Sequence, residues 1–425
     1  MSRLFIFLNI FLVLIANTTS LTEHNANPKP RPKQKLQNFV IPILKDAKTS
    51  LYYTTMTVGK PPLTVNLVLD ISGSALYFPC GDLGYNSTTY APVLCGSRGC
   101  PQPKDECFTT TCYGPFGPTC RNDTCISADV KSYLADTSER NYLLKDDVIL
   151  SYSSSSSAHL ASKLAVRARF ACVPFFDALT KLPYGANDIL GLSHSSTSFV
   201  NDLVSSYKIP FRVALCLPSK SGKGYSGNAY IGGGPYLLPP NRKDVTELLV
   251  STPLMWEHRH ITSYTIDVTS IEVNGKRVAS NSNKGPWGPA LVGKSIPYTR
   301  LHNSIYKALV KAFAGKAQKR KAMAPFTDCF SYKSFGGKTL LGKEIPVISL
   351  VLGGGAKWNI YGPNSLVKVT KNVVCLAFEG GHNEVYPIEI GSYQMEDNLV
   401  EFDLEASKFS VTSTLLRHNA SCSPQ

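Results

Sequence analysis

The chain has 425 residues, of which 43% are hydrophobic and 17% charged, and its formal net charge is +14 at neutral pH. This length and apolar content are enough to bury two ordinary cores, which excludes disorder over the body of the chain. The 31 glycines and 28 prolines indicate a turn-rich β protein rather than a helical one.

The N-terminus is typical of a secreted protein. An apolar run over residues 4–16 follows Arg3 and precedes Thr18-Thr19-Ser20, as in a secretory signal peptide. A membrane anchor is the alternative, but the run is shorter than the ~20 residues that span a bilayer. We therefore expect a signal peptide over residues 1–20 and a flexible basic lead-in over residues 21–40. The mature protein is then expected in the extracellular space or cell wall, with no membrane contact.

Strand-forming runs dominate the rest of the chain. Residues 51–59 and 64–70 are rich in β-branched and aromatic side chains, and the Gly-Lys-Pro-Pro sequence between them is a hairpin signal. Further strands are predicted at 147–152, 211–217 and 264–273. Helical spacing of apolar residues is clearest from Ser304 to Ala314. The sequence therefore predicts an all-β protein with a few short helices.

A boundary between two lobes is predicted in the middle of the chain. The pair Pro239-Pro240 is followed by a polar stretch from Asn241 to Asp244, a composition typical of a connection between domains. We therefore expect an N-terminal lobe over residues 41–243 and a C-terminal lobe over residues 244–425.

Twelve cysteines, an even number, indicate disulfides formed in an oxidising compartment. Six of them lie within 31 residues: Cys95, Cys100, Cys107, Cys112, Cys120 and Cys125. Zinc is the competing interpretation, but zinc pairs usually lie two to four residues apart and bring histidine, which this segment lacks. Three local disulfides are therefore favoured over a metal site. The other six are far apart and would join distant strands: Cys80, Cys172, Cys216, Cys329, Cys375 and Cys422.

Three potential N-glycosylation sites agree with secretion. Asn86, Asn122 and Asn419 each begin an Asn-x-Ser/Thr sequence in a polar stretch, where a glycan would remain in water. We therefore expect a glycoprotein.

Asp70 ends an apolar strand and begins Asp-Ile-Ser-Gly-Ser, which resembles the first catalytic turn of a pepsin-type aspartic peptidase. Such an enzyme needs two carboxylates that share one proton. In the matching segment of the second half, Gly293 stands at the place of the second aspartate, and residues 273–327 contain no Asp or Glu. The Tyr-Gly pair of the peptidase flap is also missing from residues 135–147. The sequence therefore predicts the peptidase fold without peptidase activity, with Asp70 only hydrogen-bonding its own turn.

Several further segments resemble one branch of the pepsin-like superfamily. They include Phe211–Pro218, Trp358–Ser365 and, most diagnostic, Ile390–Leu404. On these segments the chain is identified as similar to plant secreted xylanase inhibitors, xyloglucan endoglucanase inhibitor proteins, extracellular dermal glycoproteins and basic seed globulins. The resemblance implies a bilobal pepsin-like acid-protease fold with two β-barrel-like lobes. It also implies disulfides joining Cys80 to Cys172, Cys216 to Cys422 and Cys329 to Cys375, with the six clustered cysteines paired among themselves.

The resemblance implies an inhibitor of microbial cell-wall glycoside hydrolases, acting in plant defence. Basic loops of the C-terminal lobe would enter the carboxylate-lined cleft of an endoglucanase or xylanase. The endoglucanase inhibitors use an arginine from a loop like Asn-Pro-Arg, but here residues 381–387 contain none. The candidates that replace it are His382 and the basic run of Lys316, Lys319, Arg320 and Lys321.

Other functions stay open at this stage. A non-inhibitory storage, peptide-binding or wall-binding glycoprotein of the same fold is the main alternative, and a residual aspartic endopeptidase is another. The eleven basic residues of the acid-free stretch 273–327 could form a solvated face or bind an acidic wall polysaccharide instead of a protein. A nucleic-acid partner is not expected, because no basic groove with interspersed aromatic residues and no finger spacing is present. No cofactor and no metal are expected.

Overall fold

Antiparallel strands make up most of the structure, a computed structural model that describes residues 38–100, 117–118, 123–127, 141–152, 162–172, 186, 188–222, 224–255, 263–278, 288–293, 295–383 and 385–424. The strands of the first half are β1 (Phe39–Lys45), β2 (Tyr52–Val58), β3 (Leu63–Asp70), β4 (Leu76–Phe78), β5 (Ala91–Pro92), β6 (Ile126–Ser127), β7 (Asn141–Tyr152), β8 (Ser162–Cys172), β9 (Asp188–Gly191), β10 (Arg212–Cys216), β11 (Ser226–Ile231), β12 (Leu237–Leu238) and β13 (Lys243–Asp244).

The second half continues in the same way. Its strands are β14 (Val250–Met255), β15 (Tyr264–Val273), β16 (Lys276–Arg277), β17 (Pro289–Val292), β18 (Thr299–His302), β19 (Lys319–Arg320), β20 (Cys329–Ser331), β21 (Ile348–Leu352), β22 (Lys357–Ile360), β23 (Leu366–Lys368), β24 (Val373–Leu376), β25 (Phe378–Gly381), β26 (Ile388–Ile390), β27 (Leu399–Asp403) and β28 (Lys408–Val411). The helices are α1 (Phe199–Tyr207), α2 (Asn303–Ala314), α3 (Gly362–Ser365) and α4 (Ser392–Met395). Short 3₁₀ turns occur at Thr246–Leu248, Tyr332–Phe335 and Leu415–His418.

The predicted all-β class with a few short helices is confirmed. β2 and β3 form the expected hairpin, with Val58 opposite Leu63, and β15 has the predicted bounds. The predicted helix is α2, which buries Ile305, Leu309 and Phe313 on one face. β7 begins six residues before the predicted strand at 147–152, because the polar run at its start also pairs with β8.

A six-stranded antiparallel sheet joins the two halves in the order β1-β11-β10-β27-β28-β14. The first half contributes β1 and the hairpin β10–β11, and the second half contributes β14 and the hairpin β27–β28, so the sheet has the same arrangement on either side of the β10–β27 pair. Across that pair, Arg212 Nε lies 2.8 Å from Asp403 Oδ2. The two halves are therefore connected by main-chain hydrogen bonds as well as by side-chain packing.

Four disulfides link described residues. Cys80 is bonded to Cys172, Cys216 to Cys422 and Cys329 to Cys375, as the resemblance implied. Within the cysteine-rich segment Cys100 is bonded to Cys125 and Cys95 is also oxidised, which supports the disulfide interpretation over zinc. Cys107, Cys112 and Cys120 lie outside the described residues.

Leu36–Gln425 form one compact unit. The predicted signal peptide and nearly all of the lead-in lie outside the described residues, and β1 begins at Phe39. The lobe boundary predicted between residues 243 and 244 falls within the short strand β13 and stays a prediction. Within the described part of the chain, none of the helices has both the length and the apolar character needed to cross a membrane.

Candidate functional site

Asp70 lies at the end of β3, in a loop whose geometry is set by a parallel strand. β3 pairs with β9 so that Asp70 is opposite Gly191, and the Asp70 carbonyl accepts hydrogen bonds from the Gly73 and Leu192 amides at 3.0 and 2.9 Å. A side chain at Gly191 would overlap the Gly73 carbonyl, so glycine is required there. The Asp70 carboxylate is fully buried. It accepts hydrogen bonds from the Ser72 amide and the Ser295 hydroxyl, both at 3.2 Å.

The second half contains a loop of the same construction, with Gly293 in the place of Asp70. β17 pairs with β26 in parallel, as β3 does with β9. β18, the strand after β17, then pairs antiparallel with β26. In the same way β4, the strand after β3, pairs antiparallel with β9. Gly293 follows β17 immediately and precedes β18 by six residues, the same distance that separates Asp70 from β4. Gly293 therefore has the strand position in its loop that Asp70 has in the first.

The side chain of Ile71 fills the space next to Gly293. A Cβ atom added to Gly293 would lie 2.5 Å from Ile71 Cγ2, and the backbone there has a φ of +87°. A small cavity of about 30 Å³ adjoins this contact and is lined mainly by apolar groups, among them Tyr52, Leu217 and Met395. The Asp70 loop and the Gly293 loop are thus joined by the hydrogen bond from the Ser295 hydroxyl to Asp70 and by the apolar contact of Ile71 with Gly293.

A buried ion pair lies beside the same cavity. Glu396 Oε1 is 2.6 Å from Lys45 Nζ and accepts a hydrogen bond from the Tyr52 hydroxyl at 2.7 Å. Burial raises the pKa of Glu396 to about 7 although Lys45 acts in the opposite direction. This cluster connects β1 and β2 of the first half to the segment that follows α4, and has no contact with the Asp70 carboxylate in the described hydrogen bonds.

Part of the predicted flap segment can be placed. Residues 135–140 lie outside the described part of the chain, and residues 141–147 form the start of β7. Asp146 in this strand is buried and accepts hydrogen bonds from Thr89 at 2.7 Å and from Arg167 at 3.1 Å. These residues are therefore held in a structural network.

His382 lies on the rim of a cleft of about 420 Å³. The cleft is built by three segments of the second half, namely β18, β25 with the loop after it, and β26, and its walls include Arg300, His302, Glu379 and Glu389. Arg300 Nε lies 3.2 Å from Glu379 Oε2 and is opposite Glu389 across the β18–β26 pair. Basic, acidic and amide groups therefore alternate along one open depression.

The loop that carries His382 is organised by its own side chains. Asn383 Oδ1 accepts hydrogen bonds from the Val385 and Tyr386 amides at 3.0 and 2.9 Å, and its Nδ2 donates to Glu389 Oε1 at 3.0 Å. The His382 ring is exposed, and its Nε2 lies 3.0 Å from the Asn303 amide nitrogen at the start of α2. This arrangement presents the imidazole at the surface, in contact with the side chain of Asn303.

The predicted basic run lies at the other end of α2. Lys316, Lys319, Arg320 and Lys321 are all exposed and follow the C-terminal end of the helix, whereas His382 contacts its first residue. The 12 residues of α2 correspond to about 18 Å at 1.5 Å per residue. The two candidates for the inhibitory group, His382 and the basic run, therefore lie at opposite ends of α2.

The remaining site predictions fall into two groups. Asn86 and Asn419 are exposed, as a glycan requires, and Asn122 lies outside the described residues. Arg300, His302 and Glu379 were not predicted from the sequence, because none of them belongs to a local motif. Arg300 and His302 also lie 82 and 80 residues before His382. Only the pairing of β18 with β25 and β26 brings them together.

Comparison with known proteins gives consistent matches along the chain. Residues 52–233 match the family model described as Xylanase inhibitor N-terminal, and residues 263–413 match the one described as Xylanase inhibitor C-terminal. A probable aspartic proteinase GIP2 of Nicotiana benthamiana is 32% identical over an alignment of 435 positions. The alignment covers 97% of this chain and 95% of that protein.

Solved structures extend this similarity to the fold. The crystal structure of edgp matches with a TM-score of 0.82 and 30% identity, covering 93% of this chain and all of that one. Conglutin gamma, a basic 7S globulin from lupine seeds, matches with a TM-score of 0.78 and 29% identity, covering 92% of this chain and 98% of that one. The architecture is thus the bilobal pepsin-like fold that the sequence resemblance implied.

Proposed function

The chain belongs to the family of xylanase-inhibitor-type proteins with a pepsin-like fold, and we propose on this basis that it is a secreted, catalytically inactive member that inhibits a microbial cell-wall glycoside hydrolase. Two observations carry the proposal. One is Gly293, which has in its loop the strand position that Asp70 has in the first loop and carries no carboxylate. The other is the preorganised loop that presents His382 beside a polar cleft.

The geometry of the two loops supports the proposed inactivity as a peptidase. Aspartic peptidases activate water between two carboxylates that share a proton, whereas here the position equivalent to Asp70 is a glycine packed against Ile71. The space that a second carboxylate needs is occupied by an isoleucine side chain. Removing one member of a cooperating catalytic set forfeits most of the rate, so Asp70 alone does not support hydrolysis.

Inhibition is proposed to act through electrostatic complementarity. Glycoside hydrolases hold two carboxyl groups on either side of the scissile bond. A basic group inserted between them pairs with both and excludes the substrate. His382 is exposed on an ordered loop, with Arg300 nearby in the same cleft. The basic run at Lys316–Lys321 lies too far away to enter the same hydrolase cleft, so its contribution to that interaction would be long-range steering.

A panel of secreted fungal and bacterial endoglucanases and xylanases tests this function. We expect the purified protein to inhibit at least one of them, and His382→Ala to weaken inhibition mainly by raising the dissociation rate. Reversing the charge of Lys316, Lys319 and Lys321 should instead slow association, and less so at high salt. Lys371→Ala is the matched control for a surface basic residue outside the cleft. Lack of inhibition across the panel, or inhibition untouched by His382→Ala, would refute this site.

The peptidase prediction has its own test. We expect no cleavage of denatured protein substrates at pH 3–5 and no binding of a pepstatin-like mimic, because one carboxylate cannot hold its central hydroxyl. Pepstatin-sensitive cleavage that disappears in Asp70→Asn would show instead that the protein is a residual endopeptidase.

A storage or wall-binding glycoprotein without inhibitory activity is the second candidate. It is favoured by the similarity to conglutin gamma from lupine seeds and by the net charge of +14. Failure to inhibit any hydrolase of the panel, together with accumulation in seeds, would favour this alternative.

A further inference from the structure

A strongly basic surface, distinct from the cleft at His382, covers α2 and the segments packed against its C-terminal end. This surface, called here the basic face, consists of Lys307, Lys311, Lys316, Lys319, Arg320, Lys321 and Lys333, all of them exposed. Residues 303–335 contain these seven basic residues and one acidic residue, Asp328. The segment therefore contributes a net charge of +6 out of the +14 of the whole chain.

Contacts among three elements hold the basic face together. Phe313 of α2 packs on Phe335 of the following 3₁₀ turn, with ring centroids 5.6 Å apart. The Ser331 amide donates to the Gln318 carbonyl at 2.8 Å, and the Gln318 amide donates to Ser334 Oγ at 3.1 Å. The sequence before β19 is thus fixed to the turn that carries Lys333. Charges that are separated along the chain become neighbours on one rigid surface.

The charge of this surface is almost uncompensated. Asp328 accepts a hydrogen bond from the Tyr306 hydroxyl at 2.8 Å and lies 3.9 Å from Lys319 Nζ. Among the described ion pairs, none involves any of the other six basic residues. Such an array concentrates small counterions, and a polyanion that replaces them gains free energy from their release.

The composition of the basic face favours an extended polyanion. Six of its seven charges are lysines, which act as mobile point charges, whereas sites for a single phosphate or carboxylate favour the bidentate fork of arginine. Lys307 and Lys311 follow one another along α2 at a rise of about 6 Å, and Lys316 and Lys319 follow the C-terminal end of the helix. A protein partner would need apolar anchors, and Met323, 37% exposed, is the one large hydrophobic side chain that residues 303–335 expose.

We propose that the basic face binds a linear carboxylated polysaccharide, a polyuronate, and thereby retains the protein on an anionic wall polymer. Lys316, Lys319 and Lys321 follow the C-terminal end of α2, about 18 Å along the helix from the end that contacts His382. The polysaccharide would therefore bind mainly at the end of α2 opposite to the hydrolase site. The proposal does not depend on the inhibitory function.

Binding to de-esterified polygalacturonate, measured by calorimetry with fully methyl-esterified polymer as the uncharged control, tests this proposal. In 0.1 M salt we expect the triple variant Lys311→Glu, Lys316→Glu, Lys319→Glu to bind at least about tenfold more weakly than the unmodified protein. The matched control is Lys60→Glu, Lys163→Glu, Lys276→Glu, which changes net charge equally at exposed lysines elsewhere and should weaken binding less than about threefold. The corresponding Lys→Gln triple at 311, 316 and 319 should show a smaller loss in the same direction.

Three results would overturn the proposal. Equal losses in the two charge-reversal variants would mean that only net charge matters. Equal binding of esterified and de-esterified polymer would exclude recognition of the carboxylates. Tight binding to vesicles containing anionic lipid, without binding to polygalacturonate, would assign the basic face to a membrane surface instead. Since no hydrolase is present, none of these results bears on inhibition.

Discussion

At the scale of single residues, Gly293 and Ile71 decide the chemistry of the central site. A glycine at Gly293 avoids both the penalty of a side chain at positive φ and a 2.5 Å contact with Ile71. Ile71 in turn takes up the volume that a second carboxylate would need. Restoring an aspartate at position 293 alone would therefore not restore the arrangement of two carboxylates that share a proton.

The tight packing at Gly293 gives the first prediction. We expect Gly293→Ala to lower the free energy of unfolding by about 1–3 kcal/mol more than Gly275→Ala, because overpacking adds to the cost of the backbone conformation. Gly275 is the matched control, since its φ is +75° but its added Cβ would meet no atom within 4 Å. Urea unfolding of both variants measures the difference. Equal losses would mean that Ile71 moves aside at little cost.

At the scale of elements, one buried amide holds several segments of the C-terminal half together. Gln394 in α4 is fully buried, and its Oε1 accepts hydrogen bonds from the amide and the hydroxyl of Thr299 at 3.0 and 2.7 Å. Its Nε2 donates to the carbonyls of Asn364 and Ala377 at 2.9 and 2.8 Å. β18, α3 and the end of β24 therefore depend on one side chain that has all of its polar atoms satisfied.

The second prediction concerns this amide. Gln394→Met keeps the side-chain length but leaves the Thr299 amide and two carbonyls without their partner, and each unsatisfied buried group costs about 1–3 kcal/mol. We expect a loss of at least about 3 kcal/mol in the free energy of unfolding. Gln318→Met, at an exposed position, should change it by less than about 0.5 kcal/mol. A much smaller loss of unfolding free energy in Gln394→Met would mean that water takes the place of the amide.

At the scale of the whole molecule, two buried carboxyl groups couple stability to pH. Burial raises the pKa of Asp188 to about 7, against one hydrogen bond from the Asn66 amide. Glu396 behaves alike, as its pKa is also raised to about 7. Both are therefore protonated more readily in the folded chain than in the unfolded one.

The third prediction follows from these pKa values. Between about pH 4 and pH 7 the folded state binds more protons than the unfolded state, so the free energy of unfolding falls as pH rises through this range. Burial acts to raise the pKa values of Asp46 and Asp146, but hydrogen bonds to their carboxylates outweigh it and lower both values. The folding stability that these two ionised carboxylates contribute is therefore lost below about pH 4. We expect maximal thermal stability at mildly acidic pH. Asp188→Asn should flatten the decline between about pH 4 and pH 7, and an unchanged slope would contradict the assignment.

The fourth prediction concerns the covalent framework of the whole chain. Each of the nine described cysteines is oxidised, and we expect the same of all twelve in the mature protein. Thiol titration of the denatured protein without reductant should find fewer than one free thiol per chain. Two or more would show that the clustered cysteines do not all pair, and would reopen the zinc interpretation for that segment.

Local order is encoded locally, which is why the sequence by itself determined the strand at 264–273, the helix at Ser304–Ala314 and the turn after Asp70. Their periodicity and turn residues act over a few positions. The family resemblance also predicted that Gly293 stands at the position of the second aspartate of a peptidase, and this stays a prediction.

Only the tertiary structure decided the features that depend on distant pairing. Ile71 fills the space beside Gly293 because β3 and β17 bring two loops from different halves together. The cleft of Arg300, His302 and His382 forms where β18 meets β25 and β26. The length of α2 separates His382 from the basic run Lys316–Lys321, and no sequence pattern measures that distance. These are long-range contacts, and their positions are set by packing of the complete sheet rather than by any segment alone.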